Sequence, residues 1–184
     1  MRPLTEDETR LVLEKLAHFM GKNIKLLIER TDEEHCFRLH NDRVYYMPVR
    51  LMLAALTVSR DRLASAGVCV GKFTHSKKFR VQVTFLDYLA NYAQCKVWVK
   101  GSSEMSFLYG NHVLKTGLSR ITEGTGKNQA VMVLNERDVP LGFGVTARSA
   151  LDCAVALPHD IVVLNQADIG SYLRDEAHHP AAAL

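Results

Sequence analysis

Basic and aromatic side chains alternate in one short stretch of this chain, a pattern that suits contact with nucleic acid. Four cations and three rings fall within nine positions: Lys72, Phe73, His75, Lys77, Lys78, Phe79 and Arg80. The cations could neutralise phosphates while the rings stack on bases. The same stretch also fits a solvated turn between two strands whose phenylalanines face the core, because apolar and polar residues alternate over residues 79–85. The sequence leaves both interpretations open.

A second cluster mixes acid, base and cation within six residues. Its members are Arg38, His40, Asp42 and Arg43. A catalytic site would need a nucleophile or base held in a defined pocket. Asn41 and Asp42, at the centre of the cluster, instead favour a turn, because their side chains bond to nearby backbone and tolerate a left-handed conformation. We therefore predict a solvated hairpin rather than a catalytic site.

Two glycine-containing segments partly match nucleotide-binding loops. Gly124-Thr125-Gly126-Lys127 lacks the features of a P-loop, because Asn128 follows the lysine and Ile121 stands where a glycine is needed. Gly142-Phe143-Gly144 lacks the third glycine and the following helix of a dinucleotide fingerprint. We predict a flexible turn for the first segment and a strand that bends or is closely approached for the second.

No metal ion or cofactor is expected from the sequence. The four cysteines are far apart, and none forms a C-x-x-C pair: Cys36, Cys69, Cys95 and Cys153. Reduced and mostly buried thiols are predicted. His178-His179 has no other ligand placed beside it, and the final Ala-Ala-Ala-Leu resembles a cloning remnant, so residues 175–184 are set apart as a tail.

Charge is unevenly distributed along the chain. The 184 residues are 47% hydrophobic and carry a net charge of +3, as is typical of a globular protein. Residues 1–94 hold 15 Lys and Arg against 11 Asp and Glu, whereas residues 95–184 hold 8 against 9, giving +4 and −1. The first half therefore favours phosphate contact more than the second. A secretory signal and a membrane span are not apparent, so an intracellular protein without membrane contact is expected.

The first half is predicted to mix helices and strands. Thr5 and Glu8 form a capping box that begins a helix, and Gly21 is placed to end it. Its core stripe is predicted from the spacing i, i+3, i+4 and i+7: Leu13, Leu16, Ala17 and Met20. Three apolar runs predict an antiparallel meander: Ile24–Ile28, Cys36–Leu39 and Val44–Met47. Two more helices are predicted, over Val49–Val58, which Pro48 opens, and over Phe85–Ala93.

The second half resembles a PUA domain, the small β-barrel appended to pseudouridine synthases and archaeosine transglycosylases. The resemblance lies in the order of its elements: strand Val97–Val99, a short helix closed by Phe107–Gly110, Ser119–Thr122 between glycines, strand Ala130–Leu134 and the glycine-rich strand Leu141–Val145. This order implies an α+β protein, with an N-terminal α/β domain over 1–94 built on an antiparallel sheet and helices, and a PUA-like β-barrel over 95–174.

Residues 1–174 also resemble one family as a whole, the nuclear import protein seven family of large-subunit ribosome biogenesis factors. Its likeness is carried by MRPLTEDETR at the start, CFRLHNDRVYY, GKFT, FLDYLANYA, FLYGNHVLK and NQADIG. The resemblance implies a non-catalytic assembly factor of the 60S subunit, required for pre-rRNA processing in pre-ribosomal particles. It implies a nuclear and nucleolar location, contacts with pre-60S proteins, and a monomer.

In this family the PUA domain contacts RNA, with a preference for uridine-rich sequence, and the N-terminal domain supports protein contacts. The resemblance implies four RNA-binding residues here: Lys100, Lys115, Arg120 and Arg148. Relatives tend to carry more basic residues after the glycine-rich strand, whereas residues 153–157 are apolar in this chain. Lys72, Lys77, Lys78 and Arg80 are therefore further candidates. The alternative is a protein-interaction module with little intrinsic RNA binding.

Overall fold

A computed structural model describes residues 1–59 and 61–176, and the chain divides into two compact units, Met1–Tyr92 and Ala93–Leu184. The boundary expected from the sequence falls between residues 94 and 95, two positions later. Each unit contains its own sheet.

The N-terminal unit is a five-stranded antiparallel sheet in the order β1-β2-β3-β4-β5, with helices between the strands. Its elements are β1 Arg2–Pro3, α1 Glu6–Met20, α2 Ile24–Ile28, β2 His35–His40, β3 Arg43–Pro48, α3 Val49–Leu56, β4 Val68–Phe73, β5 Phe79–Val81 and α4 Leu86–Tyr92. Single 3₁₀ turns precede α2 and α4, at Gly21–Asn23 and Val83–Phe85. Strands β2 and β3 and helices α1, α3 and α4 confirm the sequence predictions.

Helix α1 begins and ends where the sequence predicts. Thr5 and Glu8 make both hydrogen bonds of the capping box, and Gly21 follows the helix with a φ of 51°. The buried face differs from the predicted stripe, since it consists of Val12, Leu16, Phe19 and Met20. Leu13 and Ala17 are only half-buried, because the helix is rotated so that Phe19 reaches the core.

One strand prediction in this unit is wrong, and another strand is shorter than predicted. Residues 24–28 form helix α2, because they continue directly from the turn after α1; Leu27 is fully buried there, and its carbonyl accepts a 2.7 Å bond from the hydroxyl of Tyr46. The strand expected over residues 79–85 ends at Val81. Beyond it the Thr84 hydroxyl donates to the carbonyl of Cys69 at 2.5 Å, and the chain turns into α4 while Phe85 stays buried.

The C-terminal unit is a six-stranded sheet in the order β7-β11-β10-β9-β6-β8 that forms a nearly closed barrel. Only β6 and β9 run parallel among the pairs that the structure describes. Its elements are β6 Lys96–Val99, α5 Gly101–Leu108, β7 Val113–Leu114, β8 Leu118–Ile121, β9 Ala130–Asn135, β10 Pro140–Thr146, α6 Ala150–Val155, β11 Ile161–Asp168 and α7 Ser171–Glu176, with a 3₁₀ turn at Lys115–Gly117. The predicted strands and the short helix before Gly110 are confirmed.

The glycines of β10 allow close backbone approach, as the sequence predicts. A Cβ at Gly142 would lie 2.3 Å from the carbonyl oxygen of Ala167, and one at Gly144 would lie 2.3 Å from that of Leu164. Both contacts are with β11, which pairs with β10 through a register shift between Phe143 and Gly144. Side chains at these two positions would therefore push the strands apart and open the barrel.

Candidate nucleic-acid interface

Three cations form a row across the N-terminal sheet. In the strand register Arg43 of β3 lies opposite Lys72 of β4, and Lys72 lies opposite Arg80 of β5. Directly opposite residues of antiparallel strands project from the same face, with Cβ atoms about 5 Å apart. All three side chains are exposed. Arg43, Lys72 and Arg80 are called the cation row below.

The turn beside this row carries two further candidates, Lys77 and Lys78. The amide of Lys77 donates to the carbonyl of Thr74 at 2.8 Å, and the amide of Thr74 donates to the carbonyl of Lys78 at 2.9 Å. Lys77 adopts a left-handed φ of 57°. Both lysines are exposed at the tip of the β4–β5 hairpin, so the turn extends the positive surface beyond the cation row.

The aromatic rings between these cations do not all face solvent. Phe79 is only 6% exposed, and its ring centre lies 5.2 Å from that of the half-buried Phe73. His75 is exposed. The alternative of a turn whose phenylalanines face the core therefore holds for Phe79, while the cations remain on the solvent side and available to phosphates.

The cation row borders a groove of about 950 Å³ that also reaches β1 and the start of α1. Two of its carboxylates are already paired, Asp7 with Arg10 at 2.9 Å and Glu8 with Arg2 at 2.6 Å. The Arg2 guanidinium lowers the pKa of Glu8 to about 2. In contrast, among the side chains that the structure describes, no carboxylate lies within ion-pair distance of the cation row, Lys77 or Lys78.

The hairpin predicted around Asn41 and Asp42 is present, with φ values of 47° and 61°. His40 is not solvated, however, because it is 4% exposed and its Nε2 lies 2.9 Å from the carbonyl oxygen of Leu63. Arg43 belongs to the cation row, a role that the turn interpretation missed. The sequence around Arg43 does not predict this role, because Arg43 and Lys72 are on strands separated by a helix and a long loop.

In the barrel, Arg120 is already engaged by neighbouring side chains. Its guanidinium carbon lies 3.7 Å from the ring centre of Trp98, which faces it across β6 and β8. Asp138 lies 3.9 Å from the same guanidinium and accepts a 2.6 Å hydrogen bond from the indole nitrogen of Trp98. No sequence pattern marks Trp98 or Asp138 as partners of Arg120, because Trp98 lies on β6 and Asp138 in the turn between β9 and β10.

Arg148 and Lys115 meet at Asp160. The Arg148 guanidinium lies 2.9 Å from a carboxylate oxygen of Asp160, whose backbone carbonyl accepts a 2.8 Å bond from the Lys115 amide. Lys127 and His159 line the same concave surface of about 520 Å³ as Arg148 and Asp160. These two basic residues were not predicted from the sequence, because they lie on loops that are distant along the chain.

Lys100 lies at the start of α5, beside the Lys115–Gly117 turn. Its side chain is exposed, and its backbone amide donates to the carbonyl of Gly117 at 2.9 Å. The four barrel candidates thus have different partners, since Arg120 stacks on Trp98 while Lys115 and Arg148 lie beside Asp160.

Helix α6 presents apolar side chains to solvent. Leu151 and Val155 are each 85% exposed and Leu157 is 69% exposed, whereas Cys153 is buried. The helix begins with a capping box between Ser149 and Asp152, and the bonds from Ser149 lower the pKa of the Asp152 carboxyl. Of the apolar segment 153–157, Cys153 is thus buried, whereas Val155 at the end of α6 and Leu157 beyond it are exposed.

The structure offers no sign of a metal centre in the part of the chain that it describes, where no three His, Cys, Asp or Glu residues cluster. The four cysteines are free, and burial raises the thiol pKa of Cys36, Cys69 and Cys153. Across the same residues, no helix combines the length and apolar character needed to cross a bilayer. His178-His179 lies outside the described residues.

Family models match both halves of the chain. Residues 1–83 match the pre-PUA domain of NIP7/UPF0113, and residues 95–177 match the UPF0113 PUA domain. Over 176 residues the chain is 58% identical to the 60S ribosome subunit biogenesis protein NIP7 homolog of Danio rerio, covering 96% of this chain and 98% of that protein. The homolog of Xenopus laevis is 57% identical over the same shares.

Solved structures share the fold at low sequence identity. A PUA domain protein from Aeropyrum pernix K1, solved as a tartrate complex, aligns with a TM-score of 0.62 and 15% identity, covering 97% of this chain and 90% of that one. A hypothetical protein from Pyrococcus horikoshii OT3 aligns with a TM-score of 0.56, also at 15% identity, over 91% and 93%. The predicted fold class, an N-terminal domain with an antiparallel sheet followed by a PUA-like barrel, is confirmed.

Proposed function

The chain belongs to the NIP7/UPF0113 family, and from this premise we propose that it is a non-catalytic, RNA-binding assembly factor of the large ribosomal subunit. The observation that carries the proposal is the 58% identity that extends over 98% of a relative named as a 60S ribosome subunit biogenesis protein. Identity at this level over both domains supports a shared role in 60S biogenesis, rather than a shared fold alone.

The RNA ligand in this proposal is pre-rRNA or another uridine-rich single strand. The exposed cations without carboxylate partners, Arg43, Lys72, Lys77, Lys78 and Arg80, supply most of the phosphate contact. Free cations release counterions from RNA at full strength, whereas a cation already paired must first give up its carboxylate. The barrel candidates make the remaining RNA contacts: Lys100, Lys115, Arg120 and Arg148.

The cellular setting follows from the same role. The protein works as a monomer within pre-60S particles in the nucleolus and nucleus, contacts other assembly factors there, and is required for pre-rRNA processing. In this proposal the mixed polar cluster has a structural role, since His40 is buried against the carbonyl of Leu63 and Asn41-Asp42 forms a turn.

A second candidate function is protein docking with little intrinsic RNA binding. The observation that favours it is the uncovered apolar surface of Leu151, Val155 and Leu157. Exposed leucine and valine side chains grouped in this way are typical of interaction surfaces. In this alternative the RNA contacts of the particle are made by partner proteins.

Salt-dependent titration of a fluorescent uridine-rich single strand with the full chain tests the proposal. Phosphate-driven binding weakens steeply as salt rises, whereas apolar docking does not. The double variant Lys77→Glu, Lys78→Glu should bind about 20-fold or more weakly at about 0.1 M salt, because two phosphate contacts are lost. The control Lys22→Glu, Lys25→Glu makes the same change of charge on another exposed part of the unit.

The outcomes separate the two candidates. Equal losses in both double variants would mean that only net charge matters, and would contradict the assigned surface. If the unmodified chain does not bind RNA at all, the docking function is favoured. In that case Leu151→Ser, Val155→Ser should release the protein from pre-60S particles, a result that the RNA-binding proposal does not expect.

A further inference from the structure

The single tryptophan of the chain lies on the surface of the barrel with an arginine layered over it. Trp98 is half-buried on β6, and the guanidinium carbon of Arg120 lies 3.7 Å from its ring centre. At this distance the guanidinium is held against the indole by the attraction between a cation and a π-system. The two side chains therefore form one layered unit.

The layered unit is anchored to the turn between β9 and β10. Asp138 accepts the 2.6 Å bond from the indole nitrogen and lies 3.9 Å from the Arg120 guanidinium. The turn itself is fixed by Asn135, whose side-chain oxygen accepts the amides of Arg137 at 2.9 Å and Val139 at 3.0 Å. Arg120 is thus held in one orientation before any ligand arrives, which lowers the entropic cost of binding.

The guanidinium remains open to a ligand, because the Arg120 side chain is 64% exposed. Its surroundings disfavour phosphate, since Asp138 and Glu136 lie nearby; Glu136 accepts a 3.0 Å bond from Ser119, the residue preceding Arg120. A flat neutral ligand meets no such repulsion. The planar face of an arginine stacks on nucleobases, and unpaired bases of single-stranded RNA are free to take that position.

We propose that the exposed face of Arg120, layered on Trp98, is a stacking platform for one unpaired nucleobase of single-stranded RNA. This inference rests on the proposed RNA-binding function and gives Arg120 a role different from phosphate contact. In this proposal the N-terminal cations attract the phosphates of the RNA, and the barrel binds one of its bases.

Trp98 reports directly on this site, because its emission is the only tryptophan signal of the protein. The full chain is titrated with an unlabelled uridine dodecamer while Trp98 emission is followed, and in parallel with a labelled one to obtain the Kd. Trp98 emission should change to a plateau, with the midpoint of the change at the Kd obtained with the labelled strand. Arg120→Lys keeps the charge but removes the plane, and should weaken binding about fivefold or more with the salt dependence unchanged.

Arg137→Lys is the matched control, an exposed arginine in the neighbouring turn, and should leave the Kd unchanged. Thermal unfolding of each variant shows whether the barrel is intact. RNA binding without a change in Trp98 emission, or an unchanged Kd in a folded Arg120→Lys variant, would overturn the stacking platform while the proposed function stands. A wild-type chain that binds no RNA would overturn both.

Discussion

The candidate RNA-binding cations of the two units differ in the partners that surround them. In the N-terminal unit the cation row projects from three adjacent strands with no carboxylate partner among the described residues. In the barrel Arg148 is paired with Asp160, and Arg120 is layered on Trp98 beside Asp138. We therefore expect a count of basic residues to be a poor guide to RNA affinity, since a paired cation must exchange one anion for another.

The strongest test of this comparison neutralises the cation row. At about 0.1 M salt the triple variant Arg43→Gln, Lys72→Gln, Arg80→Gln should bind uridine-rich RNA about 100-fold more weakly. The physical reason is the loss of three counterion-releasing contacts, which should also lower the slope of log K against log salt by about 2. Anisotropy titrations at several salt concentrations measure both quantities.

A triple variant elsewhere in the same unit controls for net charge. Lys15→Gln, Lys22→Gln, Lys25→Gln removes the same charge from α1 and the segment that follows it. It should retain most of the affinity and nearly the whole salt slope. Similar behaviour of the two triple variants would show that the alignment of the cation row has no importance.

The corresponding change in the barrel should have a smaller effect. Lys100→Gln, Lys115→Gln, Arg148→Gln removes three charges as well, but Arg148 is paired and Lys115 is half-buried. We expect about fivefold weaker binding, the contribution of one free contact, measured in the same titrations. A loss as large as that of the cation-row variant would reverse the comparison and place the main RNA surface on the PUA domain.

Releasing Arg148 from its partner should strengthen binding slightly. Asp160→Asn removes the carboxylate charge but keeps an oxygen for the amide of Leu157, which donates to it at 2.9 Å. Affinity should rise about twofold to fivefold, and the salt slope should steepen by about 0.7 as one contact is gained. Unchanged affinity in a folded variant would mean that Arg148 does not touch RNA.

Much of the fold could be predicted because local chemistry determines it. The capping box at Thr5 and Glu8, the turn at Asn41 and the glycines of β10 each act through neighbouring backbone, so their sequence signals are reliable. Residues 24–28 were predicted as a strand but form a helix, because a short apolar run fits a buried helix as well as a strand. In the structure they continue the helical turn that follows α1, with Leu27 buried and its carbonyl bonded to the Tyr46 hydroxyl.

The candidate site was less predictable, because its parts are joined only by tertiary structure. Lys72 and Arg80 are close in sequence and mark the hairpin, but Arg43 joins them through a strand register that no local pattern encodes. The pairing of Arg148 with Asp160 likewise brings together two loops. Sequence shows which cations exist, whereas their availability to a ligand depends on partners that only the fold supplies.

The smallest expected effect concerns Glu8, which forms an ion pair with Arg2 at the edge of the groove. Because the folded-state pKa of Glu8 is about 2, below its ordinary 4.5, its stabilisation is complete above about pH 4.5 and is lost as the pH falls through 2. Arg2 is half exposed, so Glu8→Gln should cost about 1 kcal/mol or less at pH 6 and almost nothing near pH 2. Urea unfolding measures both, with Glu14→Gln on the same helix as control. If the loss in unfolding free energy caused by Glu8→Gln does not change with pH, Glu8 is not paired with Arg2. Arg2 would then be another cation of the N-terminal surface without a carboxylate partner.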